Sequence, residues 1–265
     1  MSGSASDRDF AFIDTAAHDG EWNMSFDVSR AEAVDAGNAS PMLRVYRWDP
    51  WCISLGRHQS ETDIDVGRAQ RDGIGIVRRP TGGRAILHAE ELTYSVVMPS
   101  EGRGIMEVYK SISEALAEGL RAFVPDIEMA RSQPDFQKLY REAGSIPCFS
   151  SSARYEIEYG GRKLVGSAQR RIGSTVLQHG SVLIGAAHLK LADYLAVDDA
   201  TRDDIRADMV RHTVTLRDVT DRAVSFEEVR DALRAGFEKT WAVCFSPESG
   251  NSYLPASRLA WTPDR

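Results

Sequence analysis

The chain has 265 residues and 42% hydrophobic content, enough for one large domain or two small ones with a substantial core. Its 39 acidic residues outnumber 32 basic ones and leave a formal charge of -7, which excludes a general electrostatic attraction to nucleic acid and requires any basic site to be local. No apolar run reaches membrane-spanning length, and the opening MSGSASDRDF has no apolar stretch behind a positive region, so neither an anchor nor a signal peptide is expected and a cytoplasmic location follows.

Residues 1–8 are small and polar and read as disordered, ahead of a single domain over 9–265 with no internal repeat, low-complexity segment or linker. MLRVYRWDPWCISLGRH has the β-branched and aromatic content of one or two strands, broken at Asp49-Pro50. Helical spacing follows in ETDIDVGRAQRDG, closing on Gly73, and strand character returns in IGIVRRP. Over 107–123 the apolar residues Val108, Ile112, Ala115, Leu116, Leu120 and Phe123 recur at three and four, which predicts an amphipathic helix ended by Pro125. Residues 155–184 read as an antiparallel meander, with Gly160-Gly161 at the first tight turn and Ile172-Gly173 at the second. Ser225 and Glu228 have the spacing of a capping box ahead of a further helix, FEEVRDALRAGFEKTWAV.

Three cysteines, Cys52, Cys148 and Cys244, are too few and too scattered for a disulfide framework or a zinc pair, and no metal is expected. Cys52 in WCISLG and Cys244 in WAVCFS read as buried, inert thiols. Cys148 differs, lying after a proline and before a serine run in GSIPCFSSSARYEI. In RRPTGGRAILHAEELTYSV, residues 78–96, Gly82 and Gly83 remove two Cβ atoms, so backbone amides can approach a carbonyl or phosphate oxygen. Arg78, Arg79 and Arg84 add fixed positive charge of the kind that suits carboxylate or phosphate. Taken alone, such a loop fits a solvated hairpin as well as an acyl or anion site, and His88 fits a structural role as well as a catalytic one.

Three segments in order, RRPTGGRAILHAEELTYSV, CFSSSARYEIEYGGRKLVGSAQRR and LQHGSVLIG, resemble the lipoate–protein ligase and octanoyltransferase family, whose catalytic domain is related to that of biotin ligases. FIDTAAHDGEWNMSFD and LRVYRWDPWCISLGRHQ are similar to the family's opening strands and helix, so the likeness runs over about 12–185. It implies an α+β fold: a mixed, largely antiparallel sheet flanked by helices, of the type shared by biotin and lipoate ligases and class II aminoacyl-tRNA synthetases. It also implies a choice of chemistry. Ligases of the family use ATP and magnesium to make an acyl-adenylate, whereas transferases take the chain from a thioester on acyl carrier protein and hold it on a cysteine.

Cys148 stands where the LipM type of octanoyltransferase has its nucleophile, and Lys163, fifteen positions on (163 minus 148), where that type keeps a partner lysine. A thiol with a pKa of about 8.5 is only a few per cent thiolate at neutral pH, and an adjacent ammonium stabilises the anion. Two units of such lowering correspond to roughly 2.7 kcal/mol. Thioester exchange is nearly balanced and needs no cofactor; transfer onward to an amine is downhill. The resemblance thus implies Cys148 and Lys163 as catalytic residues, with Arg78, Arg79, Gly82, Gly83, His88, Gly166 and Ser167 binding the acyl substrate. The implied partners are octanoyl acyl carrier protein and a lipoyl domain or glycine cleavage H protein, served by a monomer. ATP-dependent ligation and amidotransfer between lipoyl-type proteins are the alternatives. Burying about six methylenes at about 0.8 kcal/mol each gives roughly 5 kcal/mol of acyl affinity before ordering costs. His179 fits structure or catalysis, and Arg162, Arg170 and Arg171 fit either a docking rim for acidic partners or plain solvated charge.

Overall fold

The structure, a computed structural model, describes residues 10–130 and 155–247. Cys148 and the amino-terminal residues read as disordered lie outside the described residues. In chain order the elements are β1 (Phe10–His18), α1 (Gly20–Asp35), β2 (Met42–Trp48), β3 (Cys52–Leu55), α2 (Val66–Arg71), β4 (Gly75–Arg78), β5 (Ile86–His88), β6 (Glu91–Pro99) and α3 (Ile105–Leu120). They continue with β7 (Glu128–Met129), β8 (Ile157–Tyr159), β9 (Arg162–Ile172), β10 (Thr175–Leu183), α4 (Asp199–His212), α5 (Leu216–Thr220), α6 (Phe226–Trp241) and β11 (Phe245–Pro247). Among the described residues, eight strands form one sheet in the order β11-β1-β2-β6-β10-β9-β8-β7, and three form a small second sheet, β4-β3-β5. Only the β11-β1 and β1-β2 pairs of the large sheet are parallel. This is the mixed, largely antiparallel sheet that the resemblance implies.

Strand alternation divides the large sheet into two working faces. One face packs Leu43, Val45, Leu92, Val96, Val176 and Val182 against Val108, Ile112 and Leu116 of α3 and Val229, Leu233 and Phe237 of α6. The opposite face, with Ile13, Met42, Val97 and Leu177, is covered by Phe26, Ala31 and Val34 of α1. The small sheet has its own core, in which Ile53, Leu55 and Leu87 meet Leu191 and Leu195 near the 3-10 segment Ala186–Tyr194 and Ile205 and Met209 of α4. No helix of the described residues is long and apolar enough to cross a membrane.

Local signals explain most boundaries. The predicted meander is β8-β9-β10, turning at Gly160 and Gly161 and again at Gly173, all with positive φ. Ser225 and Glu228 form the capping box of α6, each side chain accepting from the other residue's backbone amide. The predicted 107–123 helix is α3, but it closes at Leu120, and the chain passes through a turn to Val124 because a residue before proline is kept out of helical geometry. Cys52 is buried, and burial pushes its thiol far upward. Cys244 is exposed, contrary to its apolar sequence context: past Ala242, which caps α6 in a left-handed conformation, its side chain faces solvent between Val243 and Phe245, which both pack on the main core.

The two helices on the main core approach at glycines. A Cβ on Gly236 would lie 2.3 Å from Gly119 N and 2.5 Å from Ala115 O. Backbone cannot yield as a side chain does, so Gly236→Ala should destabilise by about 1–3 kcal/mol in urea unfolding despite the better helix propensity of alanine. Gly67→Ala, on the exposed α2, should be neutral or stabilising by up to about 1 kcal/mol. Equal effects at the two sites would mean that the helices do not meet at this point.

Candidate active site

The glycine loop between β4 and β5 is fastened from beneath. Arg79 is buried, and its guanidinium donates to Gly82 O at 3.1 and 2.9 Å, to Arg84 O at 2.7 Å and to Ser54 O at 2.9 Å. Gly83 O packs onto Gly56, where a Cβ would come within 1.9 Å of it, and Gly83 itself has a φ of 95°. In a trans peptide the carbonyl and the following amide point in opposite directions. Because the carbonyls of Gly82 and Gly83 are drawn inward, the amides of Gly83 and Arg84 are turned to the other side, an arrangement suited to an anion or an acyl oxygen. A Cβ on Gly82 would meet open space. Arg78 also works on backbone, donating to Gly56 O at 3.0 Å and Gln59 O at 2.6 Å while pairing with Glu61.

Two hydrogen-bonded chains connect this loop to the large sheet. In the first, Thr81 Oγ1 lies 2.7 Å from His179 Nε2, and His179 Nδ1 lies 3.2 Å from Asp27 Oδ2. Asp27 is in turn bound by Arg44 at 2.7 Å and by the Tyr46 hydroxyl. In the neutral ring with its proton on Nδ1, His179 donates to Asp27 and accepts from Thr81. In the second, Arg79 donates to Ser54 Oγ at 3.1 Å, which lies 2.8 Å from His88 Nε2, while His88 Nδ1 lies 2.7 Å from Glu91 Oε1. Thr93 and Ser181 hydroxyls donate to the same Glu91 oxygen, and Trp48 stacks on His88 at 4.0 Å.

Lys163 reaches this face through a β-bulge. Ile157 pairs with Val165 and Glu158 with Lys163, so one step on β8 spans two on β9 and Leu164 is the extra residue. A bulge turns two successive side chains to one side, and Leu164 and Val165 both enter the main core beside Ile157. Lys163 and Gly166, flanking them, are therefore on the opposite face. Gly166 pairs with Ser181, and Ser181 with Thr93, so it adjoins the His88 and Glu91 cluster. Ser167 takes the core side, with its Oγ 2.7 Å from the Tyr94 hydroxyl. Lys163 is buried and forms a 2.8 Å ion pair with Glu156. Arg170 donates weakly to Pro80 O and Arg171 donates to Ser100 Oγ, so part of the basic cluster braces neighbouring backbone and side chains. Asp27, Arg44, Glu91 and Glu156 were not singled out from the sequence. The usable signal was Arg44, a charge alternating in register with Met42, Tyr46 and Trp48 along a strand.

Known proteins resemble this chain in sequence and in fold. The sequence matches the lipoyl protein ligase A/B catalytic domain over residues 19–238. Octanoyltransferase LipM of Exiguobacterium sibiricum is 37% identical over 252 residues, spanning 92% of this chain and 91% of that protein. LipM of Kyrpidia tusciae is 38% identical over 240 residues, spanning 87% and 88%, and LipM of Staphylococcus aureus is 33% identical over 236, spanning 86% and 85%. Among solved structures, lipoate-protein ligase A bound with ATP superposes with a TM-score of 0.69 at 23% identity, covering 92% of this chain and 89% of its own. The bi-partite lipoate protein ligase of Thermoplasma acidophilum gives 0.70 at 24%, covering 92% and 88%. At those identities the superpositions establish the fold.

The first chain predicts a pH response. Burial holds His179 below the ordinary imidazole value, against the opposing pull of Asp27. Burial also pushes Asp27 upward, but the Arg44 charge and the His179 bond outweigh it and leave it below the usual carboxylate range. Both groups bind fewer protons folded than unfolded, so the stability they contribute is present above about pH 6.5 and lost as pH falls through the folded value of His179 and then of Asp27. His18 and His188 are also held low by burial, so acid should weaken a His179→Gln variant too, but less steeply. Melting temperatures compared between pH 7 and pH 5 should fall further in the wild type; parallel slopes would remove His179 from the response.

Proposed function

The chain belongs to the lipoyl protein ligase A/B catalytic domain family, and from that premise we propose that it is an octanoyltransferase of the LipM kind, acting in lipoate biosynthesis through an enzyme thioester. What carries the reading is the likeness, over most of both chains, to proteins named as octanoyltransferases, joined to the presence of Cys148 and Lys163 in one sequence. In the first half-reaction the Cys148 thiolate attacks the carbonyl of octanoyl acyl carrier protein. An enzyme S–C bond forms, the carrier's S–C bond breaks, and the carrier leaves as a thiol with a proton taken from the Lys163 ammonium, which is left a neutral amine. In the second, a lysine amine of a lipoyl domain or glycine cleavage H protein attacks the enzyme thioester, its proton passes to Lys163, and Cys148 is released as the amide forms.

The loop amides at Gly83 and Arg84 are suited to the oxygen that becomes negative in both tetrahedral adducts. Arg79, Gly82 and His88 hold that loop in shape, and Gly166 keeps the adjacent strand slim. No cofactor enters either step. We place the reaction in the cytoplasm and in a monomer.

Intact-mass measurement after mixing with octanoyl carrier protein, without ATP, tests the reading. A hydroxylamine-sensitive octanoyl adduct should form on the wild type and on Cys52→Ser, and should be absent as a thioester in Cys148→Ser. A protein that gains no mass this way, yet acylates a lipoyl domain from free acid and ATP, would be a ligase instead. Lys163→Arg keeps a charge but cannot act as a base, so it should retain part of the acylation and lose most of the amide formation, while Lys163→Ala should weaken both. Wild-type rates in Lys163→Ala would make the lysine a spectator.

A further inference from the structure

Glu156 enters the site by way of a strained residue. Tyr155 has a φ of 69°, a left-handed conformation unfavourable to a side chain of its size, and two backbone bonds keep it there. Tyr155 N donates to Ala130 O at 2.9 Å, and Ala130 N donates to Glu156 O at 2.8 Å. Glu156 then alternates with Ile157, which lies in the main core, and so points to the face of Lys163. Its Oε2 sits 2.8 Å from Lys163 Nζ, with side-chain exposures of 4% and 1%. Lys163 is itself held on both sides, by Glu158 in register on β8 and by Val214 N donating to its carbonyl at 3.0 Å. A cation sealed from water sheds its proton unless a counter-charge is supplied.

We propose that Glu156 is a positioning residue for acyl-enzyme formation: it supplies the counter-charge that keeps the buried Lys163 an ammonium and fixes its Nζ, so that a cation is in place when the nucleophilic thiol ionises. This rests on reading Cys148 as that thiol. The consequence is asymmetric. Without the carboxylate, Nζ loses a counter-charge and its fixed place, which takes help from the first half-reaction more than from the second. Among the described residues, other titratable groups here include Arg162 and Glu158, beside and opposite Lys163, Glu128, paired with Glu158, and His188, whose Nε2 lies 2.9 Å from Thr213 Oγ1 on the segment bridged to Lys163.

The test uses the full chain with Cys244→Ser, because that thiol is exposed and would react as well. In Glu156→Gln the pH midpoint for alkylation of Cys148 should rise by about two units, and acylation by octanoyl carrier protein at neutral pH should slow roughly twentyfold. Single-turnover transfer from acyl-enzyme preformed at alkaline pH should stay within about twofold of the wild type or exceed it. A structural lesion would slow both half-reactions together. Should the glutamine variant fail to fold, Glu156→Asp keeps the charge but withdraws it from Nζ, and should slow acylation about tenfold while sparing transfer. Unchanged alkylation profiles in both variants, or equal slowing of both half-reactions, would overturn the proposal. The alkylation profile needs no carrier protein, so a wild type that never accepts an octanoyl group would sink the transferase reading while this measurement still decides the role of Glu156.

Discussion

A guanidinium enclosed by protein on all sides has to find a carboxylate and enough acceptors for its five protons, or the fold fails. Arg44 meets that demand at 0% exposure: Asp27 takes one nitrogen, Asn23 offers its backbone and side-chain oxygens, Thr15 accepts from Nε, and the rings of Tyr46 and Phe26 lie 3.7 and 4.4 Å from the cation. These partners come from β1, α1 and β2, so one side chain sets how the helix sits on the sheet. Removing a single member of such a buried pair costs about 3–5 kcal/mol. The same Asp27 orients His179, and His179 holds Thr81, so the glycine loop takes its position from an ion pair on another layer of the molecule.

The two faces of the sheet differ in what they carry. Toward α3 and α6 the strands present an apolar surface, interrupted by the Tyr94, Ser167 and Gln178 hydrogen bonds where Gly180 leaves room for the tyrosine ring. Toward α1 and the small sheet they present His179, Ser181, Thr93 and Glu91. Lys163 would belong to the wrong face if β9 were regular, because 163 and 166 are three residues apart and strand alternation has a period of two. Leu164, the extra residue, corrects the phase. A local irregularity thus does what no choice of side chain could do on a regular strand.

Much of this was legible in the sequence, and the rest failed for identifiable reasons. The capping box at Ser225, the glycine turns of the meander and the apolar stripe of α3 are local signals, and they appear in the structure as local geometry. The buried face of α1 carries Asn23, Asp27 and Arg30 beside its apolar residues, so hydrophobic periodicity could not reveal it; only resemblance indicated a helix there. β3, β4 and β5 are three or four residues long and belong to a separate sheet that no alternation pattern announces. Glu156, alternating with Ile157, had the pattern of a solvated strand edge, and its burial depends on the bulge and on the backbone at Tyr155. The motif glycines look alike in sequence, yet Gly83 is required by its backbone angle, while a Cβ on Gly82 would meet open space and that residue serves the loop through its carbonyl.

The contact between Gly56 and Gly83 couples two positions 27 residues apart (83 minus 56), since neither the carbonyl nor the missing Cβ leaves any slack. The end of strand β3 and the loop are therefore fitted to one another, and a substitution that shifts either must be answered by the other. Sequence drift at this seam should be correlated, with position 56 barred from every side chain for as long as the loop keeps its shape. On the proposed reading, a change in acyl-chain preference would arise in the walls around the loop, because this seam leaves the loop no room to shift.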